Sequence, residues 1–160
     1  MDATIRRLQN NLITLGTGSV AFGLWMLIKF SLICMLQRSD YYQAIEGFSK
    51  EQYEIAFVIT VMTFAVVFFI HFLIIGISAR ALGRGRKNSV FYIIVAFITV
   101  SYYLAIIISE IFLIISSGHN ILSQSVNIVI DISAVIILFE IIVYSIRLKS
   151  LLKNCGGAHE

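Results

Sequence analysis

Five ionisable residues, Lys29, His71, Glu110, Asp131 and Glu140, stand inside long apolar runs of this 160-residue chain. Amines, imidazoles and carboxylates bind protons or hold opposite charges, and an apolar setting magnifies both. A charge near the centre of a bilayer costs about 2.5–3.5 kcal/mol on insertion scales, so such residues face protein, a wet cavity or one another. Counted at about 1.5 Å per residue from the ends of their runs, Lys29, Glu110 and Asp131 share a layer roughly 9–11 Å below one boundary. One cation between two carboxylates is a candidate proton- or cation-binding site.

Helical spacing extends that layer. Tyr92, Thr99, Tyr103 and Glu110 fall along one stripe at about 100° per residue, and Asn127 stands one turn before Asp131. The expected intramembrane cluster is therefore Lys29, Tyr103, Glu110, Asn127 and Asp131. Trp25, one turn before Lys29, would offer its ring face to the ammonium. The alternative for Lys29 is that its stem carries the charge out to the headgroups.

His71 and Glu140 are expected deeper, in the other half of the membrane, where a histidine–carboxylate pair is geometrically allowed. Nine residues separate Asp131 from Glu140, which puts them on opposite faces of one straight helix. Either Glu140 bonds Tyr144 or reaches Arg147 along its own face, or that face meets another polypeptide. His71, Glu140, Tyr144 and Arg147 thus form an inner polar pair or a partner face. The awkward second face is the reason to expect a homo-oligomer or a partner membrane subunit.

The elements that position these residues are four apolar stretches, 12–36, 53–79, 90–116 and 126–146, each with the roughly 20 residues needed to cross a bilayer as a helix. Hydrophobic residues are 59% of the chain and charged residues 13%, against about 45–50% and 25% in soluble domains. An all-α, four-helix transmembrane bundle is predicted, a single integral membrane domain over 1–160 with up-down-up-down connections. In the first stretch Gly16, Ser19 and Gly23 make a small-residue stripe for close helix contact, within the chain or with a second protomer. Ser49 and Gln52 form a capping box with Phe48 stapling onto Tyr53; Asn88 or Ser89 caps the third helix, Ser123 or Ser125 the fourth, and Gly118 stops the third. Residues 39–48 read as an interfacial turn.

Basic residues give the orientation. Arg6 and Arg7, then Arg80, Arg84, Arg86 and Lys87, then Arg147, Lys149 and Lys153 must share one side, nine of the twelve lysines and arginines. The positive-inside rule makes that side, both termini and the tail 147–160 cytoplasmic. Arg80, Arg84, Arg86 and Lys87 form a basic turn expected to face anionic lipid headgroups. The net charge of +3 is not arranged along a groove-reading helix, so no nucleic-acid partner is expected. The first stretch is too long for a cleaved signal and no A-x-A-like site follows it. Cys34 and Cys155 fall on opposite sides of the membrane and are expected to be unpaired.

No H-E-x-x-H, G-x-S-x-G or G-x-x-x-x-G-K-[ST] occurs, and one intramembrane histidine cannot supply two axial haem ligands. No enzymatic activity, cofactor or metal is expected. The chain reads as a multi-pass protein of a plasma or inner membrane that binds or regulates partner subunits. The alternative is an oligomeric proton- or cation-coupled transporter, with Glu110 or Asp131 carrying the ion, Lys29 setting its affinity and His71 relaying it.

Overall fold

With no proline anywhere in the chain, nothing inside the apolar runs removes a backbone donor, and the helices proceed unbroken. The computed structural model describes residues 3–36, 49–86, 90–117 and 121–156. Those residues form α1 (Ala3–Leu36), α2 (Lys50–Gly83), α3 (Phe91–Ser117) and α4 (Ile121–Gly156), with no strand among them. All four helices are long and apolar enough to cross a membrane. Their outward surfaces carry Ile59, Phe64, Phe97, Ile98, Ile108 and Phe139, a composition suited to acyl chains.

Helices of 34 residues (α1, α2) and 36 residues (α4) reach about 50 Å, well beyond a hydrocarbon core of about 30 Å. The polar leader expected before Leu12 is therefore helical from Ala3. The reason is local amphipathicity: Ile5, Leu8 and Leu12 are buried while Arg6, Arg7 and Asn10 are exposed. The far end of α4 behaves alike, burying Leu148 and exposing Arg147 and Lys153. Lys149 lies over the Tyr92 ring at 5.5 Å, and the Tyr92 and Ser145 hydroxyls face each other without reaching hydrogen-bond geometry.

Termini of α2 are built by specific chemistry. Ser49 Oγ accepts from the Gln52 amide at 3.3 Å and Gln52 Oε1 accepts from the Ser49 amide at 3.4 Å, the reciprocal box expected. At the other end the Arg86 amide donates to Ala81 O at 3.0 Å and the Gly85 amide to Leu82 O at 2.9 Å. Gly85 at φ +76° supplies the left-handed residue this Schellman turn requires. Because α4 already starts at Ile121, Ser123 and Ser125 lie inside it and do not cap it. The expected interfacial turn at 39–48, the Phe48 staple, Lys87, the caps Asn88 and Ser89, and the stop at Gly118 lie outside the described residues.

Helices α1 and α2 form the most extensive contact, α4 packs on both α1 and α3, α2 meets α3 more lightly, and α2 barely reaches α4. The small-residue stripe of α1 is used within the chain, against α2. A Cβ on Gly16 would come 2.6 Å from Gly76 O, one on Gly76 would come 2.5 Å from Gly16 O, and one on Gly23 would come 2.9 Å from Phe72 Cβ. Ser19, fully buried between them, donates from Oγ to Phe72 O at 3.1 Å. Gly83 meets Gln9 at one end of this seam and Gly23 meets Phe69 and Phe72 at the other, so the two helices run antiparallel.

Backbone-to-backbone approach at Gly76 leaves no room for a larger side chain, so Gly76→Leu is expected to destabilise the fold by about 1–3 kcal/mol or more through overpacking. Gly18→Ala, whose new Cβ would meet Ile137 Cδ1 at an ordinary 3.8 Å, serves as the control. Unfolding midpoints in detergent check both, with only the first variant expected to fall.

Candidate functional site

The three helices that carry Lys29, Glu110 and Asp131 are linked through α4, which touches both others. Tertiary packing brings the three groups into one electrostatic neighbourhood: Lys29 acts on Glu110 and on Asp131, and Asp131 acts on Glu110 and on Tyr103. Asp131 is only 2% exposed and Tyr103 3%, whereas Lys29, Glu110 and Asn127 are half-buried. One oxygen of each acid, Asp131 Oδ1 and Glu110 Oε2, is buried with no hydrogen-bond partner. An unpaired acceptor in an apolar setting is expensive, so each of these oxygens is poised to take a proton or a donor.

Adjoining the layer, and sharing Tyr103 with it, lies an aromatic lattice that hydropathy alone does not announce. Phe68 stacks on Phe30 at 6.3 Å, tilts against Tyr102 at 5.0 Å and meets Tyr103 edge-on at 6.1 Å, while Phe72 meets Tyr103 edge-on at 5.9 Å. The signal was present as Phe68 and Phe72 at i, i+4 and the adjacent pair Tyr102–Tyr103. These rings fill the space where α1, α2 and α3 converge. Edge-to-face pairs of this kind contribute about 0.5–1.5 kcal/mol each beyond burial.

His71 belongs to the lattice and not to Glu140. Its Nδ1 donates to Val67 O at 2.7 Å, and its ring lies 6.5 Å from that of Phe68. Register explains the separation. Gly23 stands opposite Phe69 and Phe72, which places His71 at its level, whereas Gly18 faces Ile137, one turn short of Glu140. The two residues also sit on the helices that barely meet. Counting depth from the ends of the apolar runs misses this because α2 is displaced along α1.

Trp25 does not turn toward Lys29. It is 44% exposed and forms one wall of an open groove between α1 and α4, about 420 Å³ in volume, with Gly18, Ala21, Phe22, Val129, Ile130 and Ser133. Small side chains on both helices leave this concavity. The Ser133 hydroxyl bonds back to Val129 O at 2.8 Å, so the groove presents a largely apolar lining. On α4 the same face continues through Val129, Ser133, Ile136, Glu140 and Arg147 at three-, four- and seven-residue spacing. Glu140 is half-buried and Arg147 exposed, and among the described residues none is hydrogen-bonded or ion-paired to Glu140. Tyr144 packs partly against the core.

The basic turn occupies the end of the molecule where α2 stops. Arg80, Arg84 and Arg86 line a pocket of about 230 Å³ with Ile77 and Ala81. Among the described residues no three His, Cys, Asp or Glu side chains converge in a way that could hold a metal ion. Compared with known proteins, the chain matches no family model, no curated protein and no solved structure.

Coupling within the charge layer is measurable. Lys29→Met and Asp131→Asn are each expected to destabilise the fold, and the double variant to fall short of their sum by roughly 0.5–3 kcal/mol, the range for residues sharing one network. Unfolding of the four proteins in bicelles closes the cycle, and strict additivity would mean the groups act independently.

Proposed function

We propose that this chain is a non-enzymatic subunit of a membrane assembly that receives an apolar helix of a second membrane protein in the groove between α1 and α4. Its helices cross the bilayer up-down-up-down with both termini cytoplasmic, as the distribution of lysine and arginine requires. The observation that carries the reading is Glu140, a half-buried carboxylate with no partner among the described residues, inside an apolar span. Such a group is stable only when something donates to it. The groove supplies the seat and Glu140 with Arg147 supplies the polar lock. The incoming helix is therefore one with a hydrogen-bond donor or basic residue at that depth.

A second reading, proton or cation coupling, is favoured by the unpartnered oxygens of Asp131 and Glu110 beside Lys29. Against it, Tyr103 beside Asp131 is packed by Phe68 and Phe72, and His71 is tied to its own helix through Val67 O.

Extraction from the native membrane in mild detergent tests the first reading. A second membrane polypeptide, or a second copy, is expected to accompany the chain in fixed ratio. The association should be lost in Glu140→Ala and in Ala21→Phe, which fills the groove, and kept in Phe112→Ala on another face. Recovery of the 18.0 kDa chain alone would contradict it. In liposomes carrying a pH-sensitive dye no proton flux is expected; flux abolished by Asp131→Asn with folding intact would establish the second reading instead.

A further inference from the structure

The last turns of α2 bring three guanidinium groups to one place, with no acid lining it among the described residues. Ile77, Arg80, Ala81 and Arg84 lie on one face by their i, i+3, i+4 and i+7 spacing. The Schellman turn, reversing at Gly85, then returns Arg86 to the same side, so that all five residues enclose the pocket of about 230 Å³. The stem of Arg80 is held against α1: a Cβ on Gly16 would lie 2.8 Å from its Cγ. Its Nε is buried and has no hydrogen-bond partner.

We infer that Arg80, Arg84 and Arg86 form a binding site for one phosphate group, carried by a phospholipid headgroup or free in solution. A cation near the last carbonyls of a helix is accounted for by the helix dipole. That dipole explains neither a third arginine folded back by the turn nor a buried Nε left without an acceptor. Three like charges converging without a carboxylate repel one another until an anion joins them, and the planar fork of arginine matches phosphate oxygens in pairs. Ile77, exposed on the lipid-facing side, and Ala81 give the pocket an apolar margin against which a glycerol backbone can lie. The site is separate from the groove between α1 and α4, so its test is independent of the partner reading.

Native mass spectrometry of the purified protein, titrated with short-chain phosphatidic acid or phosphatidylcholine, measures the affinity and the number of lipids bound. One phosphatidic acid per chain is expected, at least tenfold tighter than phosphatidylcholine. Arg84→Gln with Arg86→Gln, both exposed residues, should weaken it by about tenfold or more while the helical circular dichroism is unchanged. If inorganic phosphate displaces the lipid and raises the unfolding midpoint of the wild type alone, free phosphate is also an occupant; if it does neither while phosphatidic acid binds, the lipid is the source. Equal affinity for the two lipids with no effect of phosphate would overturn the site, as would unchanged phosphatidic acid binding in the double variant.

Discussion

A carboxylate withdrawn from water must be answered by another group, and this requirement organises the molecule. Three acids stand within the membrane-crossing helices α3 and α4, and they are answered differently. Asp131 and Glu110 lie within the electrostatic reach of Lys29, each keeping one buried oxygen without a hydrogen-bond partner among the described residues. Glu140 points along another face of α4, away from that cluster, where no described residue bonds or pairs with it. One helix therefore divides its polar residues between an internal layer and an external face. Nine residues between Asp131 and Glu140 suffice to make that division.

The charge layer is joined through α4, whereas the closest helix contact in the molecule is the α1–α2 seam. Gly16, Gly23, Gly76 and Gly83 let the two backbones touch, and Ser19 bridges them to Phe72. Without a hydrophobic drive between helices in lipid, close approach and a buried hydrogen bond are what hold such a pair. The seam also sets the displacement of α2 along α1. That displacement carries Phe68 up against Phe30 and Tyr103, and Phe72 against Tyr103, while His71 meets only Phe68 among the ring contacts of the described residues. The contact between Phe68 and Phe30 follows from this glycine register, whereas the charge layer is set by the packing of α4 on α1 and α3.

Much of this was legible beforehand because helix and membrane periodicities act locally. The four crossing segments, the Ser49–Gln52 box, the polar stripe of Tyr92, Thr99 and Tyr103, and the opposition of Asp131 to Glu140 all follow from spacing within a single helix. What spacing cannot carry is the offset between helices. For that reason the allowed pairing of His71 with Glu140 does not form, Trp25 faces the groove and not Lys29, and the small-residue stripe found its partner only in three dimensions. Hydropathy marks only the apolar part of a helix, so α1, α2 and α4 run beyond their apolar stretches while α3 matches its own. The amphipathic extensions at Ile5, Leu8 and Leu148 are polar on average and buried on one side.

The account turns on whether the face of α4 that bears Glu140 meets protein or lipid in the native membrane. Photo-crosslinking from position 136, on that face, compared with position 97 on the outward surface of α3, decides it most directly. A crosslink to a polypeptide is expected from position 136 and to lipid alone from position 97. Lipid adducts alone from both positions would contradict it.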